Sequence, residues 1–372
     1  MIITRIRSAT DAYLGVLMLG KLSRFGGAAA VGLGLVVGGT GPTTSPVTHN
    51  TDVELSATVL AIGGVGQQTM STQSIARYLG GRWANEDLVG LTWPGEMAPF
   101  DGTLTLSQSV AVGVENMDLA IRNTAGPKIV IGVSGSTAVV NEEMRRLAND
   151  SNAPSPEEVS FVVMGDADRG VNKRFLGRTI PIFDYTVPAI PETPYDLMVI
   201  AGEYDGFGDW PDRSWNLLAV YNALAGTGAL QNTLPADIVD RLGLKSFGSA
   251  HVEAMFADLA NVPEKNITTA VNAAGGVTTT YLVPTADLPM LRPLKGWGVQ
   301  QGVIDTLERV LRPIIDSAYV RNDPIRNGPM SPGPAMRTAA AKPATASVRA
   351  AERKTASKAA KRQAPNSRST LK

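Results

Sequence analysis

Ser134 stands in the stretch IVIGVSGSTAVVNEEM (129–144), where three β-branched residues give way to a helical pattern. A serine at a sharp strand-to-helix turn projects its Oγ above the sheet edge, which is the geometry of a nucleophile. Such a turn needs small neighbours. Gly132 lies two residues before the serine, and Gly135 and Ser136 follow it. Glycine is usual at the fifth position of this pattern, and Ser136 is a small substitute. The N–H of Gly135 would face a developing oxyanion, with the positive end of the following helix aimed at the same place.

A serine nucleophile needs a base and a group to orient it. The chain has two histidines, His49 and His251, and only His251 follows Ser134. The stretch AGEYD (201–205) ends a strand pattern on Asp205, with Asp209 four residues further on as the alternative acid. The order Ser134, Asp205, His251 is the chain order of α/β-hydrolases. Gly63-Gly64-Val65-Gly66 follows the first strand of the body, where hydrolases of that fold place their second oxyanion donor; Gly64 and Val65 are the candidates. Taken singly, each piece has a plainer reading: a tight turn with a capping serine, an aspartate capping a loop, a histidine on a helix surface. Jointly, they predict acyl chemistry through a serine ester.

Composition narrows the alternatives. The 372 residues include no cysteine, which excludes disulfides, thiolate catalysis and cysteine-built zinc sites. Two histidines are too few for a multi-histidine metal centre. No cofactor is expected. Asp166, Asp168, Asp209 and Asp212 could suggest a cation site, but solvated loop acids are the plainer account. Gly275-Gly276 reads as a hairpin turn, since no Walker-type lysine follows. The net charge of zero is unevenly spread: Arg337 to Lys372 carries ten Lys and Arg against Glu352 alone, and Arg5, Arg7, Lys21 and Arg24 stand against Asp11 near the start. The body between is acidic, and specific nucleic-acid binding is not expected.

The elements that must position these residues alternate along the chain. VELSATVLAI (53–62), LVGLTWPG, KIVIGVS, VSFVVMGD and YDLMVIAG read as strands, and QTMSTQSIARYL, LSQSVAVGVENMDLAIRN, STAVVNEEMRRLAND and SWNLLAVYNALAG as helices. This alternation predicts a mostly parallel sheet covered on both faces. Residues 1–50, with a basic flank before the uncharged run Phe25–Gly41, read as a signal or membrane anchor and linker. Residues 51–327 read as one serine α/β-hydrolase domain. Residues 328–372, rich in Ala, Pro, Lys and Arg, read as a disordered basic tail.

The segments GVSGSTAVVNEEM, FVVMGDADRGVNKRF, EYDGFGDWPDRSWNLLAVYNALAG, GGVTTTYLVPTADLPMLRPL and RPIIDSAYVRNDP resemble the PE-PPE domain of mycobacteria over residues 55–325. The resemblance implies a cutinase-like serine α/β-hydrolase without the N-terminal PE or PPE module. It places the motif serine on Ser134 and the aspartate on Asp205; the family's histidine commonly lies shortly after the NALAG block, where this chain has GTGALQNT, so His251 follows an apparent insertion. It further implies a lipid or glycolipid ester substrate, a location in the cell envelope, either membrane-anchored or secreted, and two outcomes: hydrolysis, or acyl transfer to trehalose-type glycolipids. A non-catalytic envelope protein on the same scaffold is the remaining alternative.

Overall fold

The computed structural model describes residues 57–229, 236–241 and 248–323. Its centre is a seven-stranded sheet in the order β2-β1-β3-β4-β7-β9-β8, with β1 Thr58–Ile62, β2 Asp87–Leu91, β3 Lys128–Val133, β4 Val159–Met164, β7 Asp196–Gly202, β8 Ile267–Val271 and β9 Val277–Val283. A two-stranded ribbon, β5 Thr179–Ile180 and β6 Tyr185–Thr186, stands apart. Only β8 runs antiparallel to its neighbour, so the mostly parallel α/β-hydrolase sheet expected from the alternation is present.

Near-continuous apolar runs make strands of this kind because both faces are covered. Leu60, Ile62, Val130, Phe161, Val163 and Val199 point into one core. That core is closed by α2 Leu106–Asn123 and α3 Thr137–Ala148. The alternate residues Val59, Ala61, Ile131, Val133, Val162 and Ile200 point into a second core. There α1 Thr72–Arg77 and α6 Ala250–Phe256 supply Ile75, Ala254 and Met255. Caps mark where the helices begin. Thr105 and Gln108 form a reciprocal capping box on α2, and the Asn216 side chain accepts from Ala219 N at the start of α4 Leu217–Gly226. The short α5 Ala236–Arg241, α7 Arg292–Gly296 and the long α8 Gln301–Asp316 complete the helices described.

The chain leaves β1 toward β2 on one side and returns to β3 on the other. In an open α/β sheet, the carboxyl ends of two strands that diverge in this way leave a crevice, the usual place for a ligand. Here that crevice lies between the exits of β1 and β3.

Three local expectations are revised. The first strand begins at Thr58, and residues 51–56 lie outside the described part. The helix expected over QTMSTQSIARYL contracts to six residues. Its first part is diverted because Trp93 N donates to Gln68 O (2.9 Å), and it stops where Leu79 and Gly80 take φ of +49° and +69°. The helix expected from Ser136 is preceded by a 3-10 turn over Ser134–Ser136 and runs from Thr137 to Ala148. The Gly275-Gly276 turn does join the β8–β9 hairpin, where Asn272 Oδ1 accepts from Ala274 N and Gly276 N. The N-terminal segment 1–50 and the basic tail 328–372 lie outside the described residues.

Candidate active site

Ser134 takes φ +54°, a left-handed conformation rarely adopted by a residue with a Cβ. Holding it there costs on the order of 1–3 kcal/mol, which the surrounding contacts must offset. Those contacts are specific. A Cβ on Gly132 would lie 2.6 Å from Val140 Cγ2, so only glycine lets α3 approach β3 this closely. The buried Ser136 hydroxyl accepts from Val133 N (2.9 Å) and lies 3.0 Å from the carbonyl oxygens of both Ile62 and Val133. A serine at the fifth position therefore ties the end of β1 to the end of β3, a bond glycine lacks. Thr137 Oγ1 donates to Ser134 O (2.7 Å), fixing the turn from the helix side.

The turn after β1 closes against this elbow. A Cβ placed on Gly64 would be 3.2 Å from Ser134 Cβ, and one placed on Gly135 would be 2.5 Å from Val65 Cγ2 and 3.6 Å from Val65 N. Gly64, Val65, Ser134 and Gly135 are thus in mutual contact at the β1/β3 crevice. The Gly64 N–H donates to Gln67 Oε1 (3.2 Å). The Val65 N–H has no such partner among the described residues, which makes it the better-suited donor of the two.

Asp205 and His251 meet beside this crevice. His251 Nδ1 is 2.8 Å from Asp205 Oδ2, and both side chains are buried. The carboxylate also accepts from Phe207 N (2.9 Å) and Gly208 N (3.1 Å), so its orientation is set by the backbone of its own loop. Tyr204, just before it, is another buried residue at positive φ (+62°). His251 sits in α6, which docks on the end of β7: a Cβ on Gly202 would lie 2.3 Å from Ala250 O. The imidazole lies over Gly165, with its edge toward the Phe207 ring (centroids 5.0 Å apart, 65°). Gly165 follows Met164, which is paired in register with Val133, so the ring stands one strand across from Ser134. That spacing is about 4.8 Å. His251 Nε2 is buried and has no hydrogen-bond partner among the described residues.

Asp209 has different company. Its Oδ2 accepts from Tyr204 N (2.8 Å) and its Oδ1 pairs with Arg321 Nη1 (2.5 Å). Burial pushes its carboxyl up to about 6, against the pull of Arg321. The expectation of solvated loop acids fails for Asp166 and Asp168, which are buried beside one another, and each of the remaining acids has its own partners. Asp166 is held by Thr137, Asn141 and Arg169, Asp168 by Tyr185 and Asn172, and Asp212 by Lys173. Among the described residues no group of three or more His, Cys, Asp or Glu could hold a metal ion.

Sequence reasoning missed two parts of the site. Gly165 is the floor under the imidazole, where a Cβ would lie 2.1 Å from His251 Cε1. A glycine ending the strand VSFVVMGD was the available signal. The second is Asp166, whose Oδ1 lies 3.2 Å from the Thr137 hydroxyl that braces the elbow. Nothing in its spacing from Ser134 announces that contact.

The PE-PPE domain profile matches residues 84–242 and 245–320. In Mycobacterium tuberculosis, the SL1278 acyltransferase Chp1 is 39% identical over 233 residues, which cover 62% of this chain and 53% of Chp1. The diacyltrehalose acyltransferase Chp2 is 32% identical over 305 residues, covering 76% of this chain and 79% of Chp2. The esterase PE16 of the same organism is 32% identical over 256 residues, 66% of this chain and 44% of PE16. The chain thus spans about half of Chp1 and four fifths of Chp2. No solved structure matches. With a matched profile across most of the described domain and Chp2 aligned over most of its length, the chain belongs to the PE-PPE domain family.

Proposed function

We propose that this protein is a serine enzyme acting on lipid or fatty-acyl esters. Ser134 Oγ attacks the ester carbonyl while His251 Nε2 takes its proton, and Asp205 holds the imidazole in the needed tautomer and stabilises its charged form. The N–H groups of Gly135 and Val65 receive the oxyanion. As the tetrahedral intermediate collapses, His251 returns the proton to the departing alkoxide, leaving a Ser134 ester. Water or an acceptor hydroxyl then gives up its proton to His251 and attacks that ester, and Ser134 is regenerated.

The observation that carries this reading is the Asp205–His251 contact at 2.8 Å, one strand from a serine held at φ +54°. Covalent labelling of the wild type by a fluorophosphonate, absent in Ser134→Ala, is the expected result. Equal labelling of both would overturn the assignment.

The second attack is the branch point. That Chp1 and Chp2 are acyltransferases, Chp2 of diacyltrehalose, favours an acceptor hydroxyl, and that PE16 is an esterase favours water. We favour transfer to a glycolipid hydroxyl as the reading to test first, because the match to Chp2 covers 76% of this chain and 79% of Chp2. Incubation with a lipid ester and a trehalose monoester, followed by mass analysis, distinguishes a doubly acylated sugar from free acid. The uncharged run Phe25–Gly41 behind a basic flank supports placing this chemistry at the cell envelope.

A further inference from the structure

The long helix α8 carries more apolar surface than the fold uses. Ile304 and Ile315 are buried, with Leu311 packed beside them, against Tyr204, Leu288 and Tyr319. Val303, Leu307, Val310 and Ile314 form a second apolar stripe that is exposed. At about 100° per residue the second stripe occupies an arc of roughly 60°, centred about 90° from the buried one. The charged residues Asp305, Arg309, Arg312 and Asp316 fall on the remaining side. A single buried stripe is enough to seat a surface helix, so the second stripe faces something other than this fold.

The exposed stripe continues onto α4. Asn216 Nδ2 donates to Ile314 O (2.7 Å), and Arg213 N donates to Ala318 O (2.9 Å), which bring the two elements side by side. Next to that seam stand Trp215, 76% exposed, and Leu217, 69% exposed, with Tyr221 one turn on. The inner side of α4 packs Val220 and Ala223 toward Phe207, the ring that abuts His251. The apolar face is therefore one helix thickness from the imidazole.

Two observations identify what covers it. The patch combines aliphatic side chains with a tryptophan and a tyrosine, the composition of helices lying in a lipid interface. The described chain ends at Asp323, just beyond the exposed Val320 and clamped to Arg213, and the sequence that follows carries ten Lys and Arg against one acid from Arg337 to Lys372. Basic residues next to an apolar face add attraction to an anionic lipid surface. No described helix is long and apolar enough to cross a membrane, so α8 would lie in the surface plane. We propose that the α4–α8 face docks on an anionic lipid surface, with the basic tail as a second contact.

The proposal stands apart from the Ser134 chemistry, and its test reads position rather than turnover. Because the chain has no cysteine, Val310→Cys in the full chain takes a single environment-sensitive fluorophore, and Asp305→Cys places the same label on the polar side of α8. With vesicles of phosphatidylglycerol and phosphatidylcholine, the Val310 label should shift to the blue and the Asp305 label should not. Val310→Asp with Ile314→Asp should weaken vesicle binding by roughly tenfold or more, with turnover of a soluble short-chain ester unchanged as the check on folding. Vesicle binding with neither label shifted, or with both shifted alike, overturns the proposal. So does a shift of the Val310 label that follows protein concentration without vesicles, which would assign the face to a second copy of the chain.

Discussion

The two halves of the site are built by different means. At the exits of β1 and β3, glycines, a positive φ and the Ser136 hydroxyl fix Ser134 mostly through backbone geometry within a few residues of sequence, with one tie from Ser136 back to Ile62. At the exits of β4 and β7, Asp205 and His251 come together across 46 residues, held by the backbone N–H groups of Phe207 and Gly208, by the Phe207 ring and by the bare backbone of Gly165. The first half is a local device that folds as a turn. The second exists only when α6 is docked. Removal of the Ser134 hydroxyl should therefore act on chemistry alone, and damage to the second half on geometry and chemistry together.

The largest effect sharpens the first half. Ser134→Ala should lower ester turnover by about 10⁶-fold, the scale at which a serine nucleophile is lost, with the melting temperature equal to or above that of the wild type because alanine carries the same backbone strain. Asp205→Asn comes next, with an expected loss of about 10⁴-fold in kcat. If Asp209→Asn produced the larger loss, the orienting role would move to Asp209. Gly165→Ala tests whether the second half depends on the floor beneath the ring. Its new Cβ would push His251 aside, and a displacement of about 1 Å should cost about 10²-fold in kcat. Turnover equal to wild type in that variant would show that the imbalance between the halves is not real.

The smaller effects fall on stability. Asp209→Asn should change kcat by less than about tenfold while lowering the melting temperature, since Arg321 loses its partner and the amide oxygen still accepts from Tyr204 N. Glu143, buried in α3 beneath Asp118, is pushed up to about 8, first by burial and then by that neighbouring carboxylate. Its folded form holds a proton more tightly than the unfolded chain, so stability falls as pH rises from the ordinary carboxylate range through about 8. Glu143→Gln should remove that slope and gain on the order of a few kcal/mol at pH 9 relative to the wild type. Parallel denaturation curves at pH 5 and pH 9 for the two proteins would contradict it.

The local half was legible in the sequence for a physical reason. A strand, a strained serine and a helix are contiguous, and their residue types state the turn. The sheet was legible on similar grounds, because runs such as KIVIGV and VSFVVM have one structural solution when both faces are covered. The Asp205–His251 partnership was legible only through scarcity: a chain with one downstream histidine offers one candidate. What separates Asp205 from Asp209 was hidden, because it depends on Arg321, which lies 112 residues beyond Asp209. Gly64 and Val65 were indistinguishable for the same kind of reason. The Gln67 side chain that occupies the Gly64 N–H is visible as a residue, but its rotamer is not.

The link from Asp209 to Arg321 also bears on how this protein comes into being. Tyr204 donates to Asp316 (2.5 Å), Arg213 reaches Asp323 and Ala318 O, and Val320 N donates to Asp212, so the loop bearing Asp205 is fastened repeatedly by the last stretch of the described chain. A ribosome adding roughly 5–20 residues per second would release that loop several seconds before its fasteners emerge. In the later part of that interval the elbow and the histidine are already synthesised while the carboxylate loop is still untethered. The arrangement of Ser134, Asp205 and His251 would then be complete only late in translation.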